Sequence, residues 1–157
     1  MEHEEYMRQA LELARLAMAE GEVPVGCVIV RDGAVVGRGR NRRETAQTAL
    51  GHAELEAIAQ ACRTLGGWRL AGCALYVTLE PCPMCAGGII SARIPEIYYG
   101  AKDAGFGACG SILNLFEEDF RHHPKIVGHI LEAECAALLR DFFCPGARKR
   151  DANLKEL

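Results

Sequence analysis

Hydrophobic positions along the chain alternate between helical and extended spacing. Residues 2 to about 19 repeat apolar side chains at intervals of three and four, which predicts an amphipathic helix. The apolar runs 23–30 and 34–36 flank Asp32 and Gly33, a dipeptide typical of a tight hairpin turn. The first third of the chain is therefore predicted to be a helix followed by a β-hairpin.

The rest of the chain has three more segments of helical character. Residues 52–65 and 132–143 show the apolar periodicity of helices, and Pro83 suits the first turn of a helix that runs to about Ala92. The inward-facing residues are predicted to be Leu55, Ile58, Ala59 and Cys62 in the first of these helices, and Ala133, Ala136, Ala137 and Leu138 in the last.

Strands are predicted between these helices. Residues 73–79 are β-branched and aromatic, as in a buried strand, and shorter strands are predicted at residues 96–99 and 125–130. Alternating strands and helices favour an α/β fold, with helices on both faces of one mixed sheet of five strands. We expect a single domain over residues 1–157, with a basic C-terminal tail from about residue 147.

Composition narrows the class of protein. The chain has 157 residues, of which 50% are hydrophobic and 25% charged, so it is neither disordered nor fibrous. A net charge of −3 provides no global positive field, so a nucleic-acid partner would have to meet a local patch. The first residues are acidic and the chain has no long apolar run, so we expect no secretory leader and no membrane span. With eight cysteines and no export signal, the protein is predicted to be cytoplasmic, in a reducing compartment.

Two short segments carry the candidate chemistry, residues 52–54 (His-Ala-Glu) and residues 81–85 (Pro-Cys-Pro-Met-Cys). Cys82 and Cys85 are three apart at a predicted helix start, so both thiols face one side and the helix N-terminus favours their thiolates. With the imidazole of His52 they make three ligands for a tetrahedral Zn²⁺ ion. The fourth position stays open, which is typical of a catalytic zinc site.

Glu54 is predicted to lie beside the open position, because side chains two apart on a helix diverge and would not hold the same ion. There it would shuttle a proton for the zinc-bound water. A single C-x-x-C pair is also compatible with a redox dithiol or with half of a structural zinc site. The H-x-E segment and the lack of a second C-x-x-C pair favour the catalytic interpretation. The other six cysteines are interpreted as small buried hydrophobic residues.

Other polar residues have both a functional and a structural interpretation. Arg38, Arg40, Arg42 and Arg43 crowd around Asn41, either as a phosphate-binding patch or as a solvated loop. Glu80 is interpreted as a structural acceptor for loop amides, and residues 122–124 (His-His-Pro) as a surface turn. The pair Phe142 and Phe143 is interpreted as core packing with one ring exposed, and an exposed ring can stack on a base.

The two chemical segments resemble the zinc-dependent cytidine deaminase-like superfamily. Within it the chain is most similar to the bacterial tRNA-specific adenosine deaminases. The stretches that carry this resemblance are residues 24–26, Asn41, residues 79–87, 99–103, 107–111 and 134–139, and the pair Phe142 and Phe143. The chain departs from that family at Gly105 and Phe106, where a more polar pair is usual.

The resemblance implies a three-layer α/β/α cytidine deaminase-like fold and the hydrolytic deamination of adenosine to inosine at the wobble position of tRNA anticodons. It implies one zinc ion per subunit, held by His52, Cys82 and Cys85, with Glu54 moving protons while water attacks C6 of the adenine and ammonia leaves. It also implies a homodimer.

Further site residues are carried over from the same resemblance. Asn41 would contact the target nucleoside, the N–H of Ala53 would donate to the oxygen that develops at C6, and Asp103 would accept a 2′-hydroxyl proton of the RNA. Candidate RNA contacts are Arg40, Arg42, Arg43, Phe143 and Arg148. Two alternatives remain, a deaminase of a free nucleobase or nucleoside such as guanine or cytosine, and a non-catalytic zinc-binding module.

Overall fold

A computed structural model of the chain describes residues 2–145. The tail predicted from about residue 147, with Arg148, lies outside these residues. In chain order the elements are α1 (Glu2–Ala19), β1 (Gly26–Arg31), β2 (Ala34–Arg40), α2 (Ala53–Leu65), β3 (Cys73–Leu79), α3 (Pro83–Ala92), β4 (Glu96–Ala101), a short 3-10 helix (Leu115–Glu117), β5 (Lys125–Val127) and α4 (Glu132–Phe143).

The five strands form one sheet in the order β2-β1-β3-β4-β5. β1 runs antiparallel to both β2 and β3, while β3, β4 and β5 run parallel to one another. Between β1 and β2, Asp32 and Gly33 both have positive φ angles, of 51° and 78°, as the predicted tight hairpin turn requires. The prediction of a mixed sheet of five strands is confirmed.

Successive residues of the central strands face opposite sides of the sheet, and helices cover both sides. In β1, Cys27 and Ile29 belong to the core formed with α2 and α3, whereas Val28 and Val30 belong to the core formed with α1 and α4. The sheet is therefore the middle layer of an α/β/α sandwich, as predicted. Within residues 2–145, no helix combines the length and the apolar character needed to cross a membrane.

Helix α2 approaches β2 closely enough for backbones to touch. A Cβ atom built on Gly37 would lie 2.3 Å from the carbonyl oxygen of Ala57, and one built on Gly39 would lie 2.1 Å from the carbonyl oxygen of Ala53. Any side chain at either glycine would push α2 off the sheet. These two glycines therefore fix the position of α2, and with it the residues at its N-terminal end.

The predicted inward stripes of two helices are partly wrong, because Ala59 of α2 and Ala133 of α4 are exposed. Close contact between α2 and β2 selects the smallest side chains for the inner face, so the larger aliphatic residues lie at its flanks. The buried apolar residues are Ala53, Ala57 and Ala61 in α2 and Cys135 in α4.

Candidate metal centre and the cavity above it

Three side chains meet where α2 and α3 begin. His52 Nδ1 lies 3.6 Å from Cys82 Sγ and 3.4 Å from Cys85 Sγ. The candidate ligand atoms of all three residues lie within 4.8 Å of one another. The structure thus brings together the three residues that the sequence predicts as zinc ligands, although His52 and the first cysteine are 30 residues apart.

The spacing of these three atoms fits a tetrahedral zinc ion. Typical Zn–S and Zn–N bonds of about 2.3 and 2.0 Å at a tetrahedral angle place the sulfur roughly 3.5 Å from the nitrogen. The two distances from His52 Nδ1, 3.4 and 3.6 Å, agree with this geometry. Among residues 2–145, this is the one group of His, Cys, Asp or Glu side chains spaced to hold a metal.

Two of the ligands immediately precede a helix. His52 and Cys82 have extended backbone angles as the N-cap residues of α2 and α3, and their carbonyl oxygens accept the N–H groups of Glu56 and Ala86. Pro83 occupies the first turn of α3, where a missing N–H group is not needed. The helix N-termini therefore point towards the ligands and favour negative charge there.

The two thiols have opposite acidities. The pKa of Cys82 is lowered to about 4, chiefly by a hydrogen bond from the Cys85 thiol; burial opposes this shift and the bond with His52 adds to it. The same bond between the thiols, together with burial, raises the pKa of Cys85. Cys82 is therefore a thiolate at neutral pH, which is the form that binds a metal ion.

Glu54 is the buried acid of this centre. Its side chain is only 4% exposed, and it hydrogen-bonds to the side chain of Cys85. Burial raises the pKa of Glu54 to about 7, although hydrogen bonds from its own N–H group and from Cys85 lower it. A carboxyl group that ionises near neutral pH can both take up and release a proton.

A cavity of about 610 Å³ lies above the metal centre, with His52, Glu54 and Cys82 in its wall. It is large enough for a small organic ligand. Four residues that the sequence analysis proposes as substrate or RNA contacts also line it, namely Asn41, Arg43, Asp103 and Phe143. Ala53 is fully buried at the first position of α2.

Asn41 is held in a fixed position in the cavity wall. It is 7% exposed, its N–H group donates to the carbonyl oxygen of Val25, and its side-chain oxygen accepts the N–H group of Arg43, both at 3.1 Å. With its oxygen occupied, the side chain offers its NH₂ group to a ligand.

The arginines around Asn41 differ in their surroundings. Arg40 forms two hydrogen bonds with Glu20, the shorter at 2.7 Å, and Arg42 Nε lies 2.9 Å from a carboxylate oxygen of Glu56 without the alignment of a hydrogen bond. Arg38 and Arg43 are exposed, and of the four only Arg43 lines the cavity. Two guanidinium groups are therefore engaged within the protein.

Glu80 organises the loop that follows β4. Its carboxylate accepts the N–H groups of Asp103, Cys109 and Ser111 at 3.2, 3.0 and 3.2 Å, and the hydroxyl group of Ser111. Burial raises the pKa of Glu80, but these hydrogen bonds outweigh it, so the pKa lies below its ordinary value. The interpretation of Glu80 as a structural acceptor is confirmed.

The same loop contributes cavity residues that the sequence patterns miss. Asp103 Oδ1 accepts the N–H groups of Gly105 and Phe106 at 3.0 and 3.1 Å. Lys102 and Phe106 line the cavity together with Asp103. The sequence indicates them only indirectly, since Phe106 stands where a more polar residue is usual and Lys102 lies in one of the stretches that carry the family resemblance.

Other predictions concern residues outside the cavity. His122 and His123 bond to the carbonyl oxygens of Ile94 and Phe116. The prediction of a surface turn is wrong for residues 122–124, which are irregular chain just after the bends at residues 118–121. All eight cysteines are free thiols. Of the six cysteines outside the metal centre, the interpretation as buried is confirmed for Cys27, Cys73, Cys109 and Cys135. It is wrong for Cys62, which is half-buried, and for Cys144, which is exposed just after α4.

Comparisons with known proteins match the whole described fold. The sequence profile of the MafB19-like deaminases matches residues 1–143. The tRNA-specific adenosine deaminase of Bacillus subtilis (strain 168) is 44% identical over 153 residues, which cover 97% of this chain and 95% of that protein. That of Agrobacterium fabrum is 45% identical over 143 residues, 90% of this chain and 94% of that protein.

Two solved structures show the same architecture. A structure from work on A-to-I editing by tRNA:A34 deaminases superposes with a TM-score of 0.83 at 44% identity, covering 86% of this chain and 99% of that chain. A guanine deaminase from Bacillus subtilis superposes with a TM-score of 0.64 at 41% identity, covering 68% of this chain and 72% of that chain.

Proposed function

We infer the activity of this chain from one premise: it belongs to the MafB19-like deaminase family and, within it, to the tRNA-specific adenosine deaminases. On this premise it converts adenosine to inosine, by hydrolysis, at the wobble position (34) of a tRNA anticodon. The observation that carries the proposal is the meeting of His52, Cys82 and Cys85 with a buried acid, Glu54, at one cavity.

Glu54 is proposed to carry the protons of the reaction. Zinc bound by His52, Cys82 and Cys85 would supply a water molecule of lowered pKa at its fourth position. The Glu54 carboxylate accepts a proton from the attacking water and delivers a proton to N1 of the adenine. The water oxygen is added at C6, and its second proton passes through Glu54 to the amino group, which leaves as ammonia.

Three further residues are proposed to hold the substrate. The NH₂ group of Asn41 donates to the target nucleoside, because its oxygen already accepts the N–H group of Arg43. The N–H group of Ala53, at the start of α2, donates to the oxygen that develops at C6. Asp103 uses Oδ1 for two loop amides, so Oδ2 is the oxygen proposed to accept a 2′-hydroxyl group.

We propose that Arg43 and Phe143 contact the RNA, since both line the cavity and both are exposed. Arg40 and Arg42 would join them only after giving up their ion pairs with glutamates. Arg148 remains a further candidate, outside the described residues.

The contact by Arg43 can be tested through the salt dependence of tRNA binding. Arg43→Ala removes one phosphate contact, so we expect weaker binding at low salt and a slope of log Kd against log salt reduced by about one. Arg38→Ala is the matched control, because Arg38 is exposed in the same segment but does not line the cavity. Equal effects of the two substitutions would contradict a specific role for Arg43.

We further propose that the chain acts as a homodimer in the cytoplasm, as the family resemblance implies. Sedimentation of the zinc-loaded protein would test the dimer, and a mass of one chain at all concentrations would contradict it.

The second candidate function is deamination of a free base, because a guanine deaminase shares 41% identity with part of this chain. The experiment that separates the two functions exposes tRNA, free guanine and free cytosine to the protein in parallel. Inosine pairs as guanosine, so we expect reverse transcription to read guanosine in place of adenosine at the wobble position. Ammonia release from a free base, with unchanged tRNA, would instead support the second candidate.

A further inference from the structure

Two aromatic rings at the cavity have an unusual position. Phe106 and Phe143 are the most exposed large hydrophobic side chains among residues 2–145, at 70% and 64%. Both line the cavity, and they come from separate elements, the loop after β4 and the end of α4. Single exposed apolar residues are common, but large apolar side chains that gather at a cavity mark a ligand contact.

The backbone that carries Phe106 is held in place. The N–H groups of Phe106 and Gly107 donate to side-chain and main-chain oxygens of Asp103, at 3.1 and 2.9 Å. A Cβ atom at Gly107 would lie 2.3 Å from Glu80 Oε2, so the loop packs directly on that buried carboxylate. The exposed ring therefore projects from an ordered loop, and its position is set before a ligand binds.

Positive charge accompanies the rings. Lys102 and Arg43 line the same cavity, and neither forms an ion pair within residues 2–145. Aromatic rings combined with unpaired cations bind unpaired nucleotides, because the ring stacks on the base and the cation neutralises the phosphate. This combination would have little use for a free base, which carries no phosphate.

The depth of the residues separates two parts of the cavity. Glu54, next to the metal ligands, is 4% exposed, whereas Phe106 is 70% exposed. An adenine that reaches Glu54 lies inside the cavity, so the ring of Phe106 at the rim meets a different nucleotide.

We propose that Phe106 is a positioning residue that stacks on an unpaired nucleotide adjacent to the deaminated adenosine. This inference rests on the proposed function and adds a residue to it. Phe106 holds the neighbouring base at the rim and so stabilises the RNA conformation in which the target adenosine points into the cavity. Because it does not touch the reacting atoms, it contributes to binding and not to the chemical step.

The test measures steady-state deamination of a synthetic anticodon stem-loop RNA with adenosine at the wobble position. Loss of one base–ring stack in Phe106→Leu should raise KM roughly 5- to 150-fold and leave kcat unchanged. Phe106→Tyr keeps the ring and should keep the wild-type KM. Phe120→Leu is the matched control, because Phe120 is 50% exposed but does not line the cavity, and its KM should not change.

A second RNA distinguishes stacking from a general effect on the loop. Stem-loops with an abasic site on the 5′ or the 3′ side of the target adenosine should show a raised KM with the wild-type protein for one of the two sites. Phe106→Leu should show no additional rise on that RNA, because the base that it would contact is already missing.

The outcomes separate this proposal from the proposed function. The stacking proposal alone is overturned if the wild-type protein is active and Phe106→Leu keeps the wild-type KM. It is also overturned if Phe106→Leu raises KM by the same factor on intact and on abasic RNA. A zinc-loaded wild-type protein that leaves the wobble adenosine of this RNA unconverted overturns the proposed function and the stacking proposal together.

Discussion

The start of α2 and the end of β3 each place one buried glutamate, Glu54 and Glu80, at the wall of the same cavity, but the pKa values of the two carboxyl groups shift in opposite directions. Glu54 is 4% exposed and Glu80 is 2% exposed, so both carboxyl groups have lost nearly all contact with water. Burial raises the pKa of Glu54 to about 7. The pKa of Glu80 instead lies below its ordinary value, although burial also acts on it.

The difference lies in the hydrogen-bond donors that surround each carboxylate. Glu80 accepts three backbone N–H groups and the hydroxyl group of Ser111, and these bonds stabilise its charge. Glu54 has its own N–H group and the thiol of Cys85, which leave its charge poorly stabilised. Burial therefore creates a proton carrier in one region and a structural anchor in the other, and the following experiments separate these roles.

The largest expected effect follows from removing a ligand beside Glu54. Cys85→Ser replaces a sulfur ligand with a hydroxyl group, a poor zinc ligand, so zinc content should fall from about one ion per chain to near zero and deamination should be lost. Metal analysis of the purified variant measures this. Cys144→Ser, at an exposed cysteine after α4, should keep both zinc and activity. Full zinc content in Cys85→Ser would refute the proposed ligand set.

Glu54→Ala tests the proton carrier directly. We expect a fall in kcat of about 10²- to 10⁴-fold, the usual contribution of a general acid and base, while zinc content stays at one ion per chain. Parallel assays of turnover and bound metal distinguish lost proton transfer from lost metal. Turnover near that of the wild type would remove Glu54 from the mechanism.

Glu80→Gln should affect stability more than chemistry. The amide keeps one acceptor oxygen but places an NH₂ group among N–H donors, so we expect the free energy of unfolding to fall by about 2–4 kcal/mol. Urea unfolding measures this loss. Glu56→Gln is the matched control, since Glu56 forms a half-exposed ion pair with Arg42 and its removal should cost below about 1 kcal/mol. If Glu80→Gln unfolds like the wild type, the anchor role of Glu80 is wrong.

The smallest effect concerns acid pH. The folded-state pKa of Glu80 lies below its ordinary value of 4.5, so its ionised form stabilises the fold above pH 4.5. That stabilisation is lost as the pH falls from 4.5 through the folded-state pKa. The difference in urea midpoint between wild type and Glu80→Gln should therefore be constant well above pH 4.5 and shrink as the pH falls below 4.5. Loss of zinc in acid affects both proteins and cancels in this difference; a constant difference would contradict the assignment.

Much of the fold follows from local patterns in the sequence. The hairpin turn at Asp32 and Gly33 and the start of α3 at Pro83 are predicted correctly, because Gly33 allows the positive φ that this turn needs and Pro83 fixes its own φ at a helical value. The sequence pattern wrongly predicts that Ala59 and Ala133 face inward, whereas both are exposed. Periodicity identifies an apolar stripe on a helix, but it cannot show how closely the helix approaches its neighbour. For α2 that distance is set by Gly37 and Gly39, which lie on β2.

The sequence by itself also determines the metal ligands, since residue type and spacing carry the chemistry of His52, Cys82 and Cys85. Only the tertiary structure decides which charged and aromatic residues reach the cavity. It places Arg43 at the cavity but Arg40 and Arg42 in ion pairs, and it brings Phe106 beside the same space. The physical reason is range. Backbone preferences depend on a few neighbouring residues and metal ligands can be recognised by residue type, whereas the solvation and ion pairing of a side chain depend on the distant segments that pack against it.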